Sequence, residues 1–176
     1  RRNRDQPEYE LVDTGVFNEG RYFDVFIDYA KASPTDLLIR IRAINRGPQP
    51  APLSLLPTLW LRNTWGWGYP DAVAQPMRLQ GGRLVTPELA DLTAYELLLN
   101  GPGQWLFTDN ETNNARLFGQ PNTTPFQKDG FHRFLIEGEQ GAINPAAEGT
   151  KAAVLIRHTL EAGETWTVEL RLRALA

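Results

Sequence analysis

Four segments of this 176-residue chain place apolar side chains at alternate positions along one face, and this pattern constrains the fold most strongly. The segments are Tyr22–Ala30, Leu37–Ile44, Ala152–Leu160 and Thr165–Ala174. Such alternation is typical of a β-strand that has one face in a core and the other in solvent. No segment shows sustained 3.6-residue periodicity, so we expect an all-β protein.

Turn-forming residues separate these segments and predict two hairpins. Ser33–Asp36 lies between the first two segments, and Ala162–Glu164 lies between the last two. The first hairpin would place Asp24 and Asp28 near Arg40 and Arg42. Many short strands joined by turns favour an antiparallel β-sandwich of two open sheets over a closed barrel.

Less regular segments add further strands and turns to this prediction. We expect strands at Tyr9–Val12 and Phe131–Glu137, and a strand pair formed by Tyr95–Leu99 and Gln104–Thr108. A small hairpin around Gly81-Gly82 would join Pro76–Leu79 to Arg83–Thr86, and single helical turns are expected at Pro87–Asp91 and Ala115–Gly119. The chain would then be one domain spanning residues 1–176.

Composition excludes several classes of protein. The net charge of -3 gives no electrostatic reason to expect binding to nucleic acid or an anionic membrane. No window approaches the ~20 apolar residues of a membrane-spanning helix, and no signal peptide is visible. The absence of cysteine rules out disulfides and thiolate chemistry but leaves the redox compartment open. We expect a cytoplasmic location.

The ends of the chain suggest a part of a longer protein. There is no initiating methionine, since the one methionine is Met77. The chain also stops directly after the strong strand signal of Thr165–Ala174. We therefore expect an excised piece of a larger polypeptide.

The segment Leu53–Arg62 is apolar on both faces of a predicted strand. One face carries Leu53, Leu55, Leu59 and Leu61, and the other carries Leu56 and Trp60. Pro57 within it indicates an edge position or a bulge. A strand that is apolar on both faces has to be covered on both, which is a first indication that another domain packs here.

Three tryptophans follow this strand signal closely, together with two planar hydrogen-bonding groups. Trp60, Trp65 and Trp67 flank Arg62 and Asn63. Such a set suits either a carbohydrate platform, with rings stacking on sugars, or an ordinary buried corner. The residue types favour a core position for Trp60 and leave Trp65 and Trp67 evenly balanced.

No catalytic constellation is evident. The two histidines, His132 and His158, lack metal-ligand spacing. Glycoside hydrolysis needs two carboxylates that face one bond. The candidates are Asp71, Asp109, Glu111 and Asp129, and nothing in their spacing pairs any two of them. We expect no catalytic residue, no metal and no cofactor in this chain.

Four separated phrases carry a family resemblance over nearly the whole chain from Tyr9 onward. They are Leu56–Trp60 running into Arg62–Trp65, Asn110–Asn113, Lys128–Gly130 with His132, and Asn144-Pro145 followed by Gly149–Ala153. In order and spacing they resemble the N-terminal domain of bacterial proteins similar to glycoside hydrolase family 63, a group that includes mannosylglycerate-hydrolase-like and glucosidase-like enzymes. The resemblance implies a supersandwich of the galactose-mutarotase-like type, which precedes an (α/α)6 toroid that holds the catalytic acid and base.

The same resemblance implies a set of supporting residues at the contact between sandwich and toroid, some of which would reach the carbohydrate cleft. They are Arg62, Asn63, Trp65, Trp67, Asn110, Glu111, Asn113, Lys128, Asp129, His132, Asn144 and Lys151. Within this set we expect Arg62, Asn63 and Trp65 to face the catalytic domain and Trp67 to be an exposed ring. The expected partners are carbohydrate and the chain's own C-terminal catalytic domain.

The function expected from the sequence is a non-catalytic β-sandwich domain of a glycoside hydrolase. A self-sufficient carbohydrate-binding module is the alternative. A third hypothesis is an epimerase-like enzyme, which would need an acid–base pair of His132 with Glu111 or Asp129 in one pocket.

Overall fold

The computed structural model describes residues 5, 7–69, 73–89 and 92–175, and it confirms an all-β antiparallel sandwich. Its strands are β1 (Phe23–Ser33), β2 (Asp36–Asn45), β3 (Ala51–Leu55), β4 (Thr58–Trp60), β5 (Met77–Gln80), β6 (Arg83–Val85), β7 (Tyr95–Asn100), β8 (Gln104–Thr108), β9 (Glu148–Gly149), β10 (Lys151–Leu160) and β11 (Thr165–Ala174). Two short helices, α1 (Asn114–Phe118) and α2 (Gly130–Ile136), and three 3₁₀ turns (Leu11–Thr14, Trp65–Trp67 and Gln140–Ala142) complete the described chain.

The strands form a large and a small sheet. The large sheet has seven strands in the order β1-β2-β11-β7-β6-β5-β9. In the small sheet β10 is central, with β8 on one side and β3 and β4 on the other. The main core lies between the sheets. Its buried apolar members are Ile41, Met77, Leu84, Leu97, Phe107, Ala152, Val154, Ile156, Val168 and Leu170.

The predicted hairpin of the first two alternating segments is confirmed. β1 and β2 pair with Ile27 opposite Ile41 and Asp28 opposite Arg40. Asp28 accepts a bond from Arg42, at 3.5 Å between Nη2 and Oδ2. The small hairpin at Gly81-Gly82 is also confirmed as β5 and β6, and both glycines have positive φ, as a tight primed turn requires.

Two other predicted strand pairs are wrong, because the chain crosses between the sheets instead of folding back within one. β10 and β11 belong to different sheets, and so do β7 and β8. At the β7–β8 crossing, a Cβ on Gly103 would lie 2.5 Å from Val154 Cγ2 and 2.7 Å from Leu99 Cδ2, so a glycine at this exposed position allows the connection to pass close to both sheets. A turn signal shows that the chain reverses, but it does not show which sheet receives the next strand.

The outer face of the small sheet has its own apolar layer, covered by α2. Leu106, Ala153 and Leu155 pack there against Phe131, with Leu56, Phe134 and Leu135 half-buried beside them. The predicted strand Phe131–Glu137 is therefore wrong. Phe131, Phe134 and Leu135 are spaced i, i+3, i+4, which places them on one helical face. The cover that Leu53–Arg62 required on this side comes from the chain itself.

Leu53–Arg62 lies at an edge, as Pro57 indicated, but as two strands. The register is the same on both sides of the break, since Leu55 pairs with Ile156 and Thr58 with Ala153. No residue is inserted, so there is an interruption and not a bulge. Proline has no N–H to donate, and at this position the one bond is from Val154 N–H to the Pro57 carbonyl, at 3.1 Å.

Two further predictions are wrong, and two others concern residues outside the described ones. Trp60, expected in the core, is 58% exposed at the end of the edge strand β4, although Phe131 of α2 contacts its row neighbour Lys151. The strand expected at Tyr9–Val12 is instead the 3₁₀ turn Leu11–Thr14, whose Asp13 carboxylate accepts from Glu10 N–H at 2.8 Å. Ala90 and Asp91 of the expected turn Pro87–Asp91, and the carboxylate candidate Asp71, lie outside the described residues.

Candidate functional site

The candidate site forms where three strands of the small sheet end together. Lys151 pairs with Trp60 on one side and with Thr108 on the other, so these residues occupy one row across the sheet. The chain leaving β4, the chain leaving β8 and the chain entering β10 therefore meet at the same end. We call this region the strand-end corner, comprising residues 60–69, 108–113, 128–131 and 150–151.

Two asparagines connect the segments of the corner through their side-chain amides. Asn110 donates from Nδ2 to the Leu61 carbonyl at 2.9 Å, and its backbone N–H donates to Thr150 Oγ1 at 2.7 Å. Asn63 donates from Nδ2 to the Asn110 carbonyl at 3.1 Å and accepts from Gly66 N–H at 2.9 Å. These amides satisfy backbone groups that no longer have a strand partner, which fixes the shape of the corner.

A second chain of contacts links Trp65 to Lys151. Trp65 donates its indole N–H to Glu111 Oε1 at 2.5 Å. The Glu111 carbonyl accepts from Lys128 N–H at 3.0 Å, and the Lys128 carbonyl accepts from Lys151 Nζ at 2.7 Å. Lys151 also lies over the ring of Phe131, with Nζ 4.9 Å from the ring centre. The first of these bonds holds the half-buried Trp65 ring in one orientation.

The ammonium of Lys151 sits in a partly desolvated position. Burial lowers the pKa of Lys151, the nearby positive charge of Lys128 lowers it further, and Asp129 acts in the opposite direction. Its carbonyl and ring contacts still favour the charged form. Lys151 therefore links β10 to the residues at the start of α2.

Asn113 and Asp129 join the two helices. Asn113 begins α1 by accepting from Arg116 N–H at 3.1 Å and donates from Nδ2 to Asp129 Oδ2 at 3.0 Å. Asp129 directly precedes α2 and faces Arg116 at 3.7 Å and Arg133 at 3.5 Å. Asn122 Nδ2 donates to the same Asn113 Oδ1 at 2.9 Å. Both oxygens of Asp129 are thus engaged in helix positioning.

Exposed aromatic rings form the outer part of the corner. Trp67 is 53% exposed, as the sequence predicted, and the Arg62 guanidinium lies over its ring at 4.8 Å. Tyr69 is also exposed and meets Trp67 edge to face, with ring centres 6.1 Å apart. Trp60 adds a third exposed ring at the end of β4. Aromatic faces beside a planar donor can stack on apolar or sugar surfaces.

The structure brings together all of the predicted site residues except His132 and Asn144. The His132 side chain is exposed on the first turn of α2, and no hydrogen bond joins it to Glu111 or Asp129 within the described chain. Asn144 closes a separate loop, donating from Nδ2 to the Glu148 carbonyl at 2.7 Å and accepting from Ala146 N–H at 3.0 Å. Both are outside the contact network of the corner.

Sequence reasoning missed several residues of the corner. Thr150 and Phe131 are buried supports, and Trp60 and Tyr69 are exposed rings. Only Trp60 had a usable signal, because alternation put it on the face of the strand opposite Leu59 and Leu61. The role of Thr150 depends on the pairing of β10 with both of its neighbours, which no local pattern encodes.

Two carboxylates of the corner are bound by other side chains of the chain. Glu111 is bound by Trp65, and Asp129 is held by Asn113 and two arginines. Within residues 5, 7–69, 73–89 and 92–175, no three His, Cys, Asp or Glu side chains could hold a metal ion together. The described helices include none that is long and apolar enough to cross a membrane.

Comparison with known proteins identifies a distant relative. The chain is 27% identical over 205 aligned residues to the uncharacterised protein YMR196W of Saccharomyces cerevisiae, an alignment that covers 97% of this chain. The chain spans 19% of the length of that relative. No known family model matches the chain.

Proposed function

We propose that this chain is a non-catalytic β-sandwich domain of a glycoside hydrolase, which packs on the catalytic domain and helps shape its carbohydrate cleft. The observation that carries the proposal is the convergence of the resembling phrases. Residues from Arg62–Trp65, Asn110–Asn113, Lys128-Asp129 and Lys151 contact one another, although they are far apart in the sequence.

The engagement of the carboxylates supports a non-catalytic role. A glycosidase acid and base must both face the scissile bond. Glu111 and Asp129 instead hold the loops of the corner in place, and their partners are side chains of this chain. The yeast relative, about five times as long as its aligned part, would leave ample room for a separate catalytic domain.

The test compares the chain with the longer polypeptide that would carry it. We expect the isolated chain to release no sugar from α-glucosides or α-mannosides, and the longer polypeptide to hydrolyse one of these classes. Trp65→Phe in the longer polypeptide should weaken substrate binding more than it slows turnover, because it removes the N–H that fixes Glu111. Hydrolysis by the isolated chain would overturn the proposal.

A self-sufficient carbohydrate-binding module is the second candidate, favoured by the exposed rings of Trp60, Trp67 and Tyr69. It predicts that the isolated chain binds an oligosaccharide on a glycan array and that Trp67→Ala abolishes this binding. Tyr29→Ala, which removes an equally exposed ring from β1, is the matched control. An array without any bound glycan would dismiss this candidate.

A further inference from the structure

The inner face of β1 is apolar and uncovered. Ile27, Ile41 and Val168 stand in one row across the large sheet, because Ile27 pairs with Ile41 and Ile41 with Val168. Ile27 is 52% exposed, whereas Ile41 is 6% and Val168 is 5% exposed. The three side chains point to the same side of the sheet, so the change from buried to exposed occurs between the neighbouring strands β2 and β1.

The exposure extends along β1. Val25, Ile27 and Tyr29 occupy alternate positions on this inner face, and all three are exposed. We call them the β1 face. The small sheet ends at β3 and β4. Leu59 of β4 and Leu61, just after it, line a cleft with Leu37 of β2 and Leu172 of β11. The sandwich is therefore open on the side of β1.

The segment that precedes β1 carries exposed apolar residues as well. Among the described residues, half of the exposed large apolar side chains lie between Tyr9 and Tyr29. They are Tyr9, Leu11, Val12, Val16, Phe17, Tyr22, Val25, Phe26, Ile27 and Tyr29. Of these, Val25, Ile27 and Tyr29 share one face of β1, whereas Phe26 lies on the opposite face beneath Arg42. Monomeric proteins rarely expose a contiguous apolar patch of more than a few hundred Å² unless it binds something.

β1 is an edge strand without proline. Among the described strands β1 pairs with β2 alone, and its irregularity is confined to the end, between Lys31 and Ser33. The β3–β4 edge, in contrast, carries Pro52 and Pro57. Natural edges are blunted by proline, bulges or charge. The charges of β1, at Asp24, Asp28 and Lys31, leave the apolar side chains of the β1 face exposed.

Two modes of contact fit an apolar edge of this kind, and geometry separates pairing at the edge from packing over the face. A second copy that paired its β1 with this β1 would extend the sheet in its own plane. It would satisfy the edge but would leave Val25, Ile27 and Tyr29 uncovered, because their side chains point out of that plane. A body that lies over the face, beside β3 and β4, covers all three.

We propose that the β1 face is the docking surface for an apolar part of the longer polypeptide, which fills the open side of the sandwich. This inference rests on the proposed function only in placing a further domain beside this chain, not in assigning hydrolysis to it. The yeast relative, of which the chain covers 19%, has the necessary length. The strand-end corner and the β1 face are then two separate contact surfaces of one domain.

The experiment is hydrogen–deuterium exchange of the β1 amides, in the isolated chain and in the longer polypeptide. We expect exchange across residues 23–33 to be at least about tenfold slower in the longer polypeptide, because docking suppresses local opening of an edge strand. Equal exchange in the two samples would overturn the proposal. Slow exchange in the isolated chain together with a concentration-dependent dimer would also overturn it, and would assign the face to a second copy.

A matched pair of variants tests the face itself. Ile27→Asp in the longer polypeptide should restore fast exchange in β1, and Ile136→Asp, at an exposed isoleucine on α2, should not. Hydrolysis is assayed on the same samples. Hydrolysis with an unprotected β1 rejects the docking surface and leaves the proposed function standing. A protected β1 without hydrolysis rejects the glycosidase assignment and supports the docking surface.

Discussion

Strands β1 and β10 have similar lengths but opposite environments, and their sequences differ. β10 contains the unbroken apolar run Ala152–Ile156, whereas in β1 Asp24 and Asp28 interrupt the apolar residues. In β10 five consecutive residues, Ala152–Ile156, are buried. In β1, whose residues are all described, no side chain is buried. β10 has a strand on each side, the large sheet over one face and α2 over the other. Among the described elements β1 has one neighbouring strand, β2, and its Val25, Ile27 and Tyr29 are exposed. The unbroken apolar run of β10 fits a strand covered on both faces, whereas the alternation of β1 predicts a strand without showing whether its apolar face is covered.

The largest expected difference between the two strands comes from one substitution made in each. Ile156→Ala should lower the free energy of unfolding by about 2–5 kcal/mol, because it leaves a cavity between the sheets. Ile27→Ala should cost less than about 1 kcal/mol, since the side chain is already half in water. Urea denaturation of the isolated chain measures both. Equal losses would mean that β1 is covered in solution.

The second prediction compares β1 with the opposite edge of the large sheet. β9 is packed against β8 so closely that a Cβ on Gly149 would lie 2.3 Å from the Thr108 carbonyl oxygen. Gly149→Ala should therefore cost about 1–3 kcal/mol or more through overpacking. Gly141→Ala, where a Cβ meets open space, should be close to neutral in the same thermal melts. A Gly149→Ala variant with the melting temperature of the parent chain would show that this edge, like β1, is not tightly packed.

The third prediction concerns the strand-end corner, whose order depends on hydrogen bonds more than on apolar cover. Asn113→Ala removes the α1 cap and the donor to Asp129, and should cost about 1–2 kcal/mol. Asn113→Asp keeps an acceptor for Arg116 N–H but places like charges together, so it should not restore stability. Full rescue by aspartate would assign the whole effect to the cap.

The smallest expected effect lies at the exposed end of β10. The pKa of Glu164 is lowered, first by the Glu161 N–H that it accepts at 2.7 Å and then by His158, at 3.1 Å from Nε2. A carboxyl whose pKa is lower in the folded state stabilises above its unfolded pKa, and the contribution is lost as the pH falls through the folded pKa.

Stability of the parent chain should accordingly fall more steeply than that of Glu164→Gln as the pH drops below about 4, the ordinary range of glutamate. Thermal melts from pH 7 to pH 2.5 measure this slope. The two curves should run parallel above that range, where Glu164 is ionised in both states. Parallel curves over the whole range would remove Glu164 as the cause.

Sequence patterns predicted the parts of this fold that depend on neighbouring residues. The β1–β2 hairpin, the glycine turn at Gly81-Gly82, the helical turn at α1 and the exposure of Trp67 were all predicted. Pro57 correctly indicated an edge strand. These features follow from alternation, backbone freedom at glycine and the missing N–H of proline, which act over a few residues.

The candidate site was predicted less completely. Shared phrases identified most of the corner, because residues that hold a fixed loop geometry occur in short characteristic runs. Thr150 lay within one of these phrases, but its role arises from the pairing of β10 with β4 and β8, and Phe131 was not part of any phrase. The core assignment of Trp60 failed because β4 is an edge strand. α2 contacts the row neighbours Lys151 and Thr108 but leaves Trp60 exposed.

By itself the sequence determined that the chain forms alternating strands, where they turn and which residues bear planar or aromatic side chains. Tertiary structure alone decided that β7 and β8, and likewise β10 and β11, separate into different sheets, and that β10 is enclosed while β1 is left open. The physical reason is that local pattern fixes the backbone conformation, whereas burial depends on which distant segment lies above and beside each strand. β1 at the end of the large sheet and β11 in its interior both alternate, and only the tertiary structure leaves the apolar face of β1 exposed and encloses that of β11.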